Sequence, residues 1–195
     1  MEERDPYLAC PVYDTAHFHL RLVQENDAED LFACYSHPDA QQFFNDDNCT
    51  SDFRFSTVVE MRACIIVWLS SYERREYIRF AVLDPSADRA VGTIEMFCDP
   101  RWKMTYGTAG GCFRMDLLPE YETIGFLSEL IHLASDRFFA LFSTERILVK
   151  AIPEATARRA ALEKFGFLPY EVNHPTYRNY YAKSAGNEDG NSYWS

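Results

Sequence analysis

The chain has 195 residues, enough for one well-buried domain and short of two ordinary ones, since domains run to roughly 100 to 200 residues. Nineteen Lys and Arg stand against 30 Asp and Glu, a formal charge of −11, and such a surface repels phosphate backbones and anionic headgroups while drawing cations. Nucleic acid and acidic membranes are therefore poor partners, and an amine, a polyamine or a basic peptide end is a better one.

With 47% hydrophobic and 15% aromatic residues, the composition is that of a folded protein with an aromatic-rich core. The apolar run Cys64 to Leu69 is far short of the ~18 residues a membrane span needs. The opening Met1, Glu2, Glu3, Arg4, Asp5 lacks the basic-then-apolar order of a signal peptide, so a cytoplasmic protein is expected. Cys10, Cys34, Cys49, Cys64, Cys98 and Cys112 are spread without a C-x-x-C pair, which predicts reduced thiols and neither a zinc site nor a disulfide framework.

In chain order, the alternation of Phe18, Leu20 and Leu22 predicts a strand over His17 to Val23. A helix follows, with Asn26 as its cap, Glu29 completing a capping box, and Ala28, Leu31, Phe32 and Tyr35 as its apolar stripe. It should end near His37 and Pro38. Thr57 and Glu60 form a second capping box ahead of Val58, Met61, Ile65, Trp68 and Tyr72 at helical spacing. Tyr77 to Asp84, Ala90 to Cys98 and Ala109 to Leu117 read as three successive strands, the last two joined by a loop through Trp102 and Gly107.

Ile124, Leu127, Ile131, Ala134, Phe138 and Leu141 step by three and four, predicting one long helix with an apolar side suited to a sheet. A strand over Ile147 to Ala151, a helix from about Glu154 to Phe165 stopped by Gly166, and strands over Phe167 to Glu171 and Tyr177 to Ala182 complete the chain. The fold class is α/β with a mixed sheet. Residues 1–183 are read as one domain with an N-terminal extension over 1–16, and 184–195 as a polar tail with Tyr193 and Trp194 as its docking aromatics.

The junction at residues 109 to 130 places a strand, a turn with Pro119 and the first turn of the long helix in succession. Helix N-termini present unpaired N–H groups and favour anions, and Gly125 would let a phosphate approach the backbone. Taken alone, Gly125 is read more readily as relief of crowding where the helix meets the sheet.

The element order and the stretch PEYETIGFLSEL (119 to 130) resemble the GNAT N-acetyltransferase superfamily, whose signature is Gln/Arg-x-x-Gly-x-Gly/Ala entering a helix after the fourth strand. VGTIEMF (91 to 97) is similar to the family's third strand and LEKFGF (162 to 167) to the end of its fourth helix, while Glu129 matches a glutamate of the ribosomal-protein N-acetyltransferase (Rim-type) branch. The likeness covers residues 17 to 182 and implies a largely antiparallel sheet with one splayed parallel strand pair, flanked by helices. It further implies that acetyl-CoA lies between those strands, with Met115, Asp116 and Leu117 beside its arm and Glu122, Thr123, Ile124, Gly125, Phe126 and Leu127 around its pyrophosphate. One backbone N–H of the strand would polarise the thioester carbonyl.

Three positions depart from the family pattern: Glu122 in place of Gln or Arg, Leu127 in place of Gly or Ala, and Ala155 in place of an asparagine. A carboxylate near a pyrophosphate is repulsive, though Glu122 also suits a helix N-terminus for its own sake. Leu127 fits the core stripe with its N–H still free to face an anion. Arg158 is a candidate replacement cation, or else a solvated residue like Arg159.

Glu95 and Asp116 are the candidate general bases, or ordinary solvent-facing residues of a half-exposed sheet. The family's usual tyrosine acid is Leu162 here, with Tyr177, Tyr180 and Tyr181 as alternatives in sequence. The resemblance thus implies acetyl transfer to a primary amine, cationic by the charge argument, with a possible homodimer. A different acyl-CoA donor, or a degenerate binding module that keeps only the fold, are the alternatives.

Overall fold

The fold is given by a computed structural model that describes residues 5–47, 49, 53–98, 110–174 and 176–186. The expected loop through Trp102 and Gly107, the strand start at Ala109, and the tail aromatics Tyr193 and Trp194 lie outside the described residues. The first half runs β1 (Tyr13–Asp14), β2 (His19–Leu22), a 3-10 turn (Glu25–Asp27), α1 (Ala28–Tyr35), α2 (Pro38–Gln41), α3 (Val58–Glu73), β3 (Ile78–Asp84) and β4 (Arg89–Cys98). The second runs β5 (Gly111–Leu117), a 3-10 turn (Pro119–Tyr121), α4 (Ile124–Leu133), a π turn (Ala134–Phe138), α5 (Phe139–Leu141), β6 (Arg146–Lys150), α6 (Thr156–Lys164), β7 (Leu168–Tyr170) and β8 (Tyr180–Ser184).

The capping box expected for α3 is present. Thr57 Oγ1 accepts the Glu60 N–H at 3.2 Å and Glu60 Oε2 accepts the Thr57 N–H at 3.2 Å, which satisfies two of the donors a helix start leaves open. The start of α1 differs from the expectation: the box forms two residues earlier, between Gln24 and Asp27, at the head of the 3-10 turn that leads into the helix. Asp27 is the better acceptor because the Arg21 guanidinium grips both its oxygens, at 2.6 and 2.9 Å. Pro38 opens α2 rather than only ending α1, since its missing N–H costs nothing at a first helical position and His37 caps it.

The expected long helix runs unbroken from Ile124 to Leu141, widening into a π turn at Ala134–Phe138. Ile124, expected on its buried stripe, is 48% exposed, because the first residue of α4 lies beyond the packed part of the helix, whereas Leu127, Leu130 and Ile131 are fully buried. Gly166 ends the α6 segment with φ +76, the left-handed conformation glycine adopts freely.

Among the described residues, eight strands form one sheet in the order β1-β2-β3-β4-β5-β6-β8-β7. Every neighbouring pair is antiparallel except β5 and β6, which are parallel. One face presents Phe80, Ile94, Met96, Phe113 and Met115 to the main core, where Phe138 of the π turn stacks on Phe80 at 5.9 Å. The opposite face presents Arg79, Thr93, Glu95, Arg114 and Asp116 beneath α1 and α3, and the Arg79 guanidinium lies 4.1 Å from the centre of the Trp68 ring. The parallel pair is joined only at Gly111↔Ile147 and Cys112↔Leu148, so β5 and β6 part toward their C-terminal ends. That is where open α/β sheets take their ligands.

Candidate functional site

The ladder between β4 and β5 fixes which backbone groups face the cleft. The Leu118 N–H bonds to Val91 O at 2.9 Å, so the register that pairs Thr93 with Asp116 turns the N–H and C=O of Asp116 toward β4. By the same alternation the N–H and C=O of Met115 and Leu117 face the cleft. Of the three residues expected beside a bound arm, Met115 and Leu117 thus offer backbone to it.

Below the cleft stands the N-terminus of α4. Thr123 caps it, its Oγ1 accepting the Phe126 N–H at 3.4 Å. Ile124 and Gly125 are exposed, and a Cβ added to Gly125 would meet nothing nearer than Thr123 Oγ1 at 4.0 Å. Backbone donors and open approach therefore coincide, and this end fits an anion. Leu127 departs from its expected orientation: its N–H donates to Thr123 O at 3.0 Å, because it stands one full turn inside the helix. Phe126 turns its ring among Phe18, Tyr121 and His17.

Arg158 is buried rather than solvated, at 2% exposure. From α6 on one face of the sheet, it donates to both oxygens of Glu122, through Nη2 to Oε1 and through Nε to Oε2 at 3.3 Å. Its Nη1 donates to Phe43 O and its Nη2 to Met115 O, each at 2.9 Å. Phe43 follows α2, on the other face. The guanidinium thus spans the cleft and holds the carbonyl that the parting of β5 and β6 leaves without a ladder partner, while Glu122 is neutralised. The helix end of the site suits a diphosphate, and its strand end is held by Arg158.

The two candidate bases belong to one buried ion network. Glu95 accepts from Arg79 through Oε2 and from Arg114 through Oε1 at 2.7 Å. Burial raises its carboxyl pKa, but the two guanidinium groups outweigh that and hold it below the ordinary range. Asp116 Oδ2 accepts from the Tyr35 hydroxyl at 2.7 Å and from Arg79 Nη1 at 3.1 Å, while burial pushes the Tyr35 phenol up and keeps it neutral. Asp116 Oδ1 is buried with no hydrogen-bond partner among the described residues.

Arg79, Arg114 and Tyr35 escaped the sequence reading. The available signal was an arginine placed inside each of the apolar strands IRFAVLD and GCFRMDL, since a charge on a buried strand face requires a partner.

Beyond β5 a second polar group gathers on Asp47. Its Oδ2 accepts from the Tyr180 hydroxyl at 2.9 Å, its Oδ1 lies 3.0 Å from Lys150 Nζ, and its carbonyl accepts from Arg114 at 2.5 Å. Of the other tyrosines considered as acids, Tyr181 accepts from Arg159 at 2.7 Å and Tyr177 packs near Tyr180. Leu162 is fully buried.

A mixed sheet whose parallel pair parts above a helix N-terminus is the architecture of the acyl-CoA N-acyltransferases. Residues 17–168 match the family model described as “Acetyltransferase (GNAT) domain”, and the chain belongs to that family. The uncharacterized N-acetyltransferase YoaA of Bacillus subtilis is 24% identical over 157 residues, 80% of this chain and 82% of that protein. Ribosomal-protein-S5-alanine acetyltransferase from Vibrio fischeri superposes with a TM-score of 0.69 at 16% identity, covering 91% of this chain and 98% of that one. Spermidine N-acetyltransferase from Vibrio cholerae, solved with CoA and spermine, gives 0.60 at 16% identity over 86% and 93%.

Proposed function

We propose that the protein transfers an acetyl group from acetyl-CoA to a primary amine of a small molecule or a protein N-terminus, as a cytoplasmic enzyme. The observation that carries this is the coincidence of the parted β5 and β6 strands with an open, glycine-bearing helix N-terminus. Acetyl-CoA supplies the thioester. The backbone around Ile124 and Gly125 holds its phosphates, and a cleft-facing N–H of Met115 or Leu117 polarises its carbonyl.

Asp116 takes the proton of the attacking amine through a water, using the oxygen that has no partner among the described residues. Glu95, with both oxygens engaged by arginines, fixes Arg79 and thereby the orientation of Asp116. The charge of −11 favours a cationic acceptor by steering.

Calorimetric titration with acetyl-CoA and then with CoA tests the reading. A micromolar Kd, about −8 kcal/mol, followed by amine-dependent thiol release supports it. No heat from the folded protein, with its folded Glu122→Gln variant equally silent, rejects it in favour of a GNAT-fold binding module, the reading that the arginine held across the cleft supports.

A further inference from the structure

We propose that Arg158 and Glu122 form a latch that closes the donor cleft in the free protein and has to part before the coenzyme can enter. This rests on the acetyl-CoA reading above. Both side chains are buried, and the guanidinium spends its donors on the surfaces an entering arm would need to reach. The Met115 carbonyl is a β5 acceptor that faces the cleft and has no ladder partner in β6, so a chain of amides threading between the strands competes with Arg158 for it. The bond to Phe43 ties the α6 side of the sheet to the segment after α2 and bars the same passage.

The rest of the site is already open. Gly125 and Ile124 face solvent, and Thr123 has set the helix start. Among the described residues, Arg158 and Glu122 lie between that anion-ready end and the Met115 carbonyl. The two members of the latch also have opposite effects on a diphosphate. The Glu122 carboxylate repels it unless neutralised, and the Arg158 guanidinium, held on Glu122 one residue before the Thr123 cap, is freed beside the helix start to meet it. Parting a buried pair leaves two charges that need new partners: phosphate takes the Arg158 guanidinium, and the Glu122 carboxylate has to turn out to water.

The test uses the whole chain, its Glu122→Gln and Arg158→Lys variants, and CoA as the probe. Glu122→Gln loosens the pair and removes a negative charge, and should bind CoA about tenfold more tightly, as one like charge at a partly buried site implies. Arg158→Lys keeps the charge but lacks the planar fork that spans Glu122, Met115 and Phe43. It should also bind more tightly, and both variants should melt below the parent.

In arginine-labelled parent protein, CoA should shift the Arg158 Nε–H resonance and speed its exchange with solvent. Tight CoA binding by the variants alone also supports the latch. If CoA binds the parent while both folded variants bind no more tightly, or while the Arg158 resonance stays unmoved, the latch is wrong and the acetyl-CoA reading stands. If CoA binds neither parent nor variants, the acetyl-CoA reading falls and takes the latch with it.

Discussion

Gly92 of β4 lies against the backbone of Asp116 of β5 so closely that a Cβ on Gly92 would stand 2.1 Å from the Asp116 carbonyl oxygen and 2.8 Å from the Leu117 Cα. The glycine also has φ +154, a conformation that side chains rarely adopt. The contact presses β4 onto β5 at the residue between Met115 and Leu117, the two whose backbone faces the cleft. Gly92→Ala should therefore force the strands apart, at about 1 to 3 kcal/mol of stability, the usual cost of overpacking. Urea unfolding measures that loss. Calorimetry with CoA should show weakened binding as the cleft-facing groups shift, and unchanged stability would contradict the close approach.

The ion network under α1 and α3 makes a second prediction. Glu95 is 2% exposed and answers two arginines. Glu95→Gln leaves Arg79 and Arg114 sharing one neutral acceptor in a buried place, and breaking a buried pair by removing one partner costs about 3 to 5 kcal/mol. Denaturant unfolding of the variant should show a loss of that order. A loss below 1 kcal/mol would mean that water reaches the network.

How far the fold was legible follows from which signals are local. Thr57, Glu60, Met61, Ile65 and Trp68 encode both the start and the buried face of α3 within a dozen residues, and the splayed strand pair followed from family resemblance. The start of α1 departs from the spacing rules for capping because Asp27 draws its strength from Arg21 across the turn, a pairing those rules do not contain. The ionic contents of the site were hidden for the same reason at longer range. Arg158 reaches Glu122 across 36 positions and Phe43 across 115, so its burial depends on sheet topology, which no helical periodicity reports.

The α3 capping box can be tested by itself. Thr57→Ala removes the acceptor of the Glu60 N–H and should cost about 1 kcal/mol, the typical loss for a capping threonine. Thermal melts should show a small downward shift, and Thr57→Ser should restore most of it because the serine hydroxyl accepts the same bond.

Glu129 joins α4 to the segment before β2 and gives the chain an acid-sensitive tie. Its Oε2 accepts the Thr15 hydroxyl at 2.7 Å and the His17 N–H at 3.1 Å, and its Oε1 lies 2.5 Å from His17 Nδ1. Partial burial raises its pKa, but the hydrogen bonds from Thr15 and His17 outweigh burial and leave it below the ordinary value of 4.5. Because the folded-state value is the depressed one, the unfolded chain binds the proton more readily. The stabilising contribution is then present in full above the unfolded value and is lost as pH falls through the folded one. Glu95 adds to the loss in the same direction. Melting temperatures followed from pH 7 down to about 3 should fall as the pH drops into the carboxylate range. Glu129→Gln should lower the neutral-pH value and make that fall shallower. An unchanged slope in the variant would show that the tie does not stabilise the folded chain.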